Sequence, residues 1–259
     1  MKSFLLILLT TVAATALYGQ QKVVDIPLPA GYSRVAQERH SFGEWLRSCT
    51  LKSDKIVYLY NGALKKNQQA QYAVLNIPVG EKDLQQCADA VIRLRAEYFY
   101  SSGRAEAIAF KATDGTRMDY SGWLKGDRFL LQKGKLLRKR AAAPAQGRAL
   151  FEKYLETVFA YAGTVSLSGE LKQVQTTKNI QPGDVFIQGG SPGHAVIVMD
   201  VAQNRSGKKI FLLAQSYMPA QNIHILKNPA ATTPWYDADY SGKLYTPEWV
   251  FGEGALKRW

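Results

Sequence analysis

The stretch Ile187-Gln-Gly-Gly-Ser-Pro-Gly-His-Ala-Val-Ile-Val-Met-Asp200 constrains this chain more than any other. Its glycines and proline interrupt regular structure, and the β-branched apolar run that follows reads as a strand. Alternation places His194, Val196, Val198 and Asp200 on one face and Ala195, Ile197 and Met199 on the other. The strand is therefore apolar on both sides, the pattern of a fully buried one, yet its first residue is an imidazole. Such a histidine is ordinarily a satisfied core residue. Here Ser191-Pro192-Gly193 directly before it opens that end of the strand to a loop, which makes a chemical role the competing reading.

The strand runs out in Ala202-Gln-Asn-Arg-Ser-Gly207 and returns as Lys208–Ser216, so the two form a hairpin. A turn centred on Asn204-Arg205 sets His194 opposite Gln215, and a slip of one residue sets it opposite Ser216. Either side chain can hold one ring nitrogen and leave the other for chemistry.

A second informative stretch runs from Lys82 to Tyr98. Asp83 followed by Gln86 is a capping pattern, which puts Cys87 in the first turn of a helix. Cys87, Val91, Leu94 and Tyr98 recur at helical spacing and place the thiol at the N-terminal end of the buried face. The partial positive charge of a helix start favours thiolate over thiol, as a nucleophile requires. A structural buried cysteine fits the same position, and in an exported protein a Cys49–Cys87 disulfide is a further alternative.

The remaining chain supplies the scaffold. With 259 residues and 46% apolar composition it can bury one large core, and the expectation is a single domain over residues 20–259. Residues 1–19 have a lysine, an apolar run and small residues, so they read as a signal peptide, and the mature protein is expected to be periplasmic or extracellular. Ser41 with Glu44 caps a short helix burying Phe42, Trp45 and Leu46. Ile56–Tyr60, Tyr72–Ile77, Ala107–Phe110 and Phe129–Gln132 read as strands, with Asp114-Gly115 as a turn, and Gly147 to Tyr161 as a helix. The net charge of +12 suits anionic cell-envelope polymers. The basic run Lys133–Arg140 reads as a solvated hairpin edge, and with no groove-reading motif nucleic-acid binding is excluded. His40 and His224 have no metal-ligand spacing, no phosphate loop or serine elbow occurs, and no metal or cofactor is expected.

Asp83–Asp89, Gly183–Val198, Leu213–Gln221 and Pro234-Trp-Tyr236 together resemble the bacterial family catalogued as domain of unknown function 4846, over essentially the whole mature chain. The pattern Gly-Asp-Val, then Gly-His-Ala-Val-Ile-Val, then a late polar residue on the next strand, is more loosely similar to papain-like amidohydrolases of the CHAP and NlpC type. That resemblance implies an α+β, papain-like single domain in which a central helix carrying Cys87 packs on an antiparallel sheet carrying His194. It implies Cys87 as nucleophile, His194 as general base and acid, and Gln215 as orienting group, with hydrolysis or acyl transfer at an amide or peptide bond. Gln86, Ser191, Ser216 and Trp235 are the expected substrate contacts, and cell-wall peptide is the substrate suggested by export and charge. Roughly a hundred residues separate Cys87 from His194, more than compact cell-wall endopeptidases use, so an insertion is required. The rival class is a non-enzymatic exported protein that binds glycan or peptide, with Cys87 and His194 structural.

Overall fold

The computed structural model describes residues 21–240 and 242–259; the expected leader over residues 1–19 lies outside them. Nine strands form the main sheet: β1 (Tyr32–Arg34), β2 (Gln71–Val74), β3 (Lys172–Gln173), β4 (Val185–Gln188), β5 (His194–Asn204), β6 (Lys209–Gln215), β7 (His224–Leu226), β8 (Tyr236–Asp237) and β9 (Leu256–Arg258). The order is β2-β7-β6-β5-β4-β9-β3, with β1 paired to β5 and β8 to β6. Every pairing is antiparallel. Among the described residues five α-helices accompany it: α1 (Phe42–Ser48), α2 (Cys87–Ser101), α3 (Tyr120–Leu124), α4 (Arg148–Tyr161) and α5 (Thr164–Glu170). The chain is thus α+β, with an antiparallel sheet and few helices.

The hydrophobic run of β5 explains why that strand is central. Ala195, Ile197 and Met199 join a large apolar cluster with Ala88, Val91 and Leu94 of α2. Val196 and Val198 join a second cluster with Phe186, Phe211 and Phe251 on the opposite face. Both faces are covered, as a strand without a polar stripe demands. The segment between β2 and β3 carries α2 to α5 and two small hairpins, Ala109–Lys111 with Arg117–Asp119 and Asp127–Gln132 with Lys135–Arg140. These elements account for most of the chain between Cys87 and His194. The second hairpin holds the basic run, whose lysines and arginines are exposed.

Local expectations fare unevenly. The α1 cap forms, Ser41 Oγ accepting the Glu44 N–H at 3.2 Å, while Glu44 turns back to the His40 N–H at 2.5 Å. Ile56–Tyr60 is not a strand; Tyr58 and Leu59 make only single bridges, to Leu64 and Gln221. Helix α2 starts at Cys87 itself, with Gln86 and not Asp83 before it. Asp83 is drawn off by the Ala220 N–H at 2.6 Å, a partner remote in sequence, and Asp89 takes the Gln86 N–H at 3.1 Å instead.

The β5–β6 hairpin also differs. Asn204 N–H reaches Lys208 O at 3.0 Å around a loop in which Gly207 has φ +85°, so the turn lies beyond Asn204-Arg205. Lys209 pairs with Gln203 and Ala214 with Ile197, and the register shifts between Leu212 and Leu213, opposite Asp200 and Val198. Continued by one residue, this register sets Gln215 opposite Val196. The bulge leaves Met199 unpaired and changes the phase of the strand, so Val201 faces the second cluster and Ala202 the first. Asp200 accordingly leaves His194's face and meets Arg34 and Arg47.

Candidate functional site

At the start of β5 the backbone is tightly packed. A Cβ on Gly193 would lie 2.5 Å from Gly190 O and 2.8 Å from Gln188 O and would collide with Thr164 Oγ1, so only glycine lets the loop turn into the strand here. The next residue, His194, is 1% exposed and boxed by Tyr217, Trp249 and Phe251, with ring centroids 5.0, 5.1 and 5.8 Å away.

His194 Nε2 lies 2.8 Å from Gln215 Oε1. The contact runs diagonally across the hairpin: Val196, opposite Gln215, shares a face with His194, and a shift of two residues preserves the face where a shift of one would not. The orientation of the amide is dictated by its other partners. Gln215 Nε2 donates to Glu248 Oε2 at 2.7 Å and faces His224 Nε2 at 3.4 Å, while His224 Nδ1 donates to Asn222 O at 2.9 Å. Glu248 is in turn paired with Lys65 Nζ at 2.5 Å. A carboxylate only accepts, so the amide nitrogen points at Glu248 and its oxygen at His194. His194 therefore carries its proton on Nε2, and Nδ1 is left with its lone pair and no hydrogen-bond partner among the described residues. Burial lowers the His194 pKa to about 4, against the opposing pull of Gln215 and Glu248. Burial, followed by the charge of Lys65, lowers His224 to about 3. At neutral pH both rings are uncharged, and burial leaves His194 a weaker base than a free imidazole.

Cys87 begins α2 at the same end of the strand. Its sulfur faces the backbone amide of Ala195, His194's neighbour, together with the amides of Cys87 and Ala88 at the helix start. Those amides favour the thiolate, but burial outweighs them and, with the Asp89 carboxyl nearby, pushes the thiol up to about 11. The helix lies on the Ala195 face, whereas the imidazole lies on the Val196 face, and no hydrogen bond joins the thiol to the ring among the described residues. Cys87 is 8% exposed and lines a cleft of about 260 Å³ with Gln86, Ser191 and Gly193. Both cysteines are free, so no Cys49–Cys87 bridge forms.

Of the expected substrate contacts, Gln86 and Ser191 share the Cys87 cleft, although Gln86 Nε2 is engaged by Asp83 Oδ1 at 3.1 Å. Ser216 and Trp235 are corrections. Ser216 is fully buried, its hydroxyl donating to Gln85 O at 2.8 Å where β6 ends against the α2 start. Trp235 is 3% exposed, and its indole N–H donates to Pro27 O at 2.8 Å. Both hold the scaffold and neither reaches the cleft. Glu248, Lys65 and His224 are the residues that sequence reasoning missed; Glu248 stands in an irregular Pro and aromatic segment with no pattern to connect it to β6. Among the described residues no group of three His, Cys, Asp or Glu side chains is arranged to hold a metal ion. No described helix is long and apolar enough to cross a membrane.

The two thiols differ in a measurable way. Burial and the Glu97 charge push Cys49 up to about 12, above Cys87. Iodoacetamide should modify Cys87 roughly tenfold faster than Cys49 at any pH near neutrality, with both rates climbing as pH rises toward the thiol values. Peptide mass spectrometry of a time course reads both sites, and faster labelling at Cys49 would contradict the placement of Cys87 at an open cleft.

The family described as Domain of unknown function (4846) matches residues 23–258, and the chain belongs to it. No curated protein and no solved structure matches the chain.

Proposed function

We propose that this member of the family of domain of unknown function 4846 is an exported, papain-like cysteine hydrolase or acyltransferase acting on an amide or peptide bond, with Cys87 as nucleophile, His194 as general base and then acid, and Gln215 as orienting group. One observation carries the reading: His194 is locked by Gln215 and Glu248 in the tautomer whose Nδ1 can take a proton, at the strand end where the Cys87 sulfur meets the Ala195 amide. A core histidine needs its nitrogens satisfied; this one has a relay behind one nitrogen and none at the other.

In the proposed reaction the Cys87 proton passes to His194 Nδ1 as sulfur attacks the carbonyl carbon; because the thiol and the ring stand on opposite faces at the end of β5, the transfer runs around that strand end through one bridging water. The resulting oxyanion would be met by N–H groups at the start of α2, which the helix leaves without internal partners. Imidazolium then donates the proton to the leaving nitrogen, and water or another nucleophile resolves the thioester. The Gln86 amide, occupied by Asp83, is not assigned to the oxyanion, and Gln85 lines a different cleft. Because Cys87 is held as a thiol and His194 as neutral imidazole, the pair works by proton transfer during attack and not as a preformed ion pair.

Replacing Gln215 with alanine should cut turnover of peptide-amide substrates by roughly one to two orders of magnitude, since the ring loses the partner that fixes its tautomer. The same change leaves His224 Nε2 without a partner and takes one donor from Glu248, which keeps Lys65, so a stability loss of about 1–3 kcal/mol should accompany it. Turnover measured well below the variant's unfolding transition separates the two effects, and unchanged turnover would remove Gln215 from the mechanism. Cell-wall stem peptide is the substrate class favoured by the expected export and by the net charge of +12. The second reading, an exported binding protein for glycan or peptide, is favoured by the absent Cys87 to His194 hydrogen bond and the raised thiol pKa.

A further inference from the structure

A cleft of about 690 Å³ opens away from Cys87, where the middle of α2 meets α1 and the C-terminal strand. Its walls include Phe42, Arg95, Asp184, Lys209, Arg258 and Trp259. Arg95 lies among four aromatic rings: its guanidinium carbon is 4.8 Å from the centroid of Phe42, 5.8 Å from Tyr98, 4.5 Å from Phe99 and 5.4 Å from Trp259. The Phe42 wall is itself fixed, because a Cβ on Gly183 would meet Phe42 Cδ1 at 2.7 Å.

What Arg95 lacks is a counter-charge. It makes no ion pair and no hydrogen bond among the described residues, so its five N–H donors are unused. The other charges of the cleft are accounted for differently. Asp184 is saturated by Arg258, whose Nε and Nη2 sit 2.6 and 2.8 Å from its two oxygens, and by the Gln181 N–H at 2.9 Å. Lys209 Nζ donates to the carbonyls of Lys178 and Ile180, at 2.8 and 3.4 Å, and makes no ion pair among the described residues, although Asp184 lies within reach of its charge. Glu38 lines the rim but is exposed and bonds to none of these cations. The Trp259 indole N–H is buried behind this wall and has no hydrogen-bond partner among the described residues.

We infer that this cleft is a binding site for a small oxyanion, a carboxylate or phosphate group seated on the Arg95 guanidinium with Lys209 as the second cation. The rings hold the planar fork in one orientation and exclude water from its faces, so that two parallel N–H bonds to two oxygens of the ligand need little further ordering. Burial already lowers Arg95 to about 10, the direction expected for a cation taken from water without an anion to replace it. The site is separate from the Cys87 cleft and does not depend on any reaction there.

The test is titration of the full mature chain with inorganic phosphate and, in parallel, with succinate. The readouts are the ¹H–¹⁵N resonances of the Arg95 Nε–H and the Trp259 indole N–H. Saturable shifts in both resonances are expected, with the tighter probe identifying which oxyanion the cleft prefers. Arg95→Met, which keeps an apolar stem against the rings, should weaken binding tenfold or more; Arg95→Lys, which keeps the charge but loses the fork, should fall between; Lys209→Met should weaken it several-fold. Absence of a saturable shift with both probes, or equal affinity in Arg95→Met checked to be folded by its thermal transition, would overturn the site and leave Arg95 as a packing residue.

Discussion

Replacing Cys87 with alanine should abolish bond cleavage, lowering turnover by on the order of 10⁴-fold or more, while leaving substrate affinity and the fold nearly unchanged. The side chain is small and sits at the first helical position, so its removal opens little space, and what it gives up to the sheet is the weak contact of the Ala195 N–H with the sulfur. What disappears is the thiol of the cleft, the group proposed to carry the covalent acyl intermediate. The experiment incubates wild-type and Cys87→Ala proteins with peptidoglycan fragments and a peptide-amide library and follows both cleavage and binding. Cleavage by wild type alone, with binding by both, is the expected outcome. If both proteins bind a substrate and neither breaks a bond in it, the catalytic reading falls and the binding-module reading stands.

The elements of this site were legible to different depths. Periodicity alone separates the strand after Gly193 from the helix after Gln86, because a run apolar at every position and a run apolar at i, i+4 and i+7 have no common fold. It also leaves Gln215 and Ser216 as the candidates opposite His194, of which Gln215 meets the ring, in a register two residues away from the one drawn for it. The error is harmless because side chains alternate with period two. Helix α2 was placed with its start misjudged by one turn, since Asp83 has the chemistry of a cap but spends it on the amide of Ala220. No local pattern reports such a competition.

The relay behind Gln215 was not legible. Glu248 lies 33 residues further along the chain and Lys65 lies 183 residues before Glu248, each in a segment without regular structure. A buried carboxylate and a buried lysine announce themselves only when the fold brings them together, because each alone reads as a surface residue. Ser216 and Trp235 show the converse. A hydroxyl and an indole near a presumed site suggest ligand contacts, but each polar end is consumed by a backbone carbonyl of the scaffold. The Cys87 and His194 pairing is a different matter: residue order brings both to one end of β5, while the face each occupies depends on how α2 docks.

The bulge at Met199 leads to the largest expected effect on stability. Simple alternation puts Asp200 beside His194, but the phase change delivers its carboxylate, 0% exposed, to Arg34 Nε at 2.7 Å and Arg47 Nε at 2.5 Å. The two guanidinium groups also bind carbonyls: Arg34 that of Ile26, Arg47 those of Val35 and Val201. One carboxylate thus ties β1, α1 and the segment before β1 to the central strand. Asp200→Ala should cost about 3–5 kcal/mol, because two partly buried cations lose their common anion while their surroundings stay closed. Urea denaturation should show a lowered midpoint with an unchanged slope. A triple variant, Arg34→Met, Arg47→Met and Asp200→Leu, should recover most of that loss, since the cost arises from stranded charge and an apolar replacement of the whole group strands none. A loss below about 1 kcal/mol for Asp200→Ala would mean that both arginines, each partly open to solvent, swing out to water at little cost. In that case the apolar packing of α1 against β5 would be what holds this corner of the fold together.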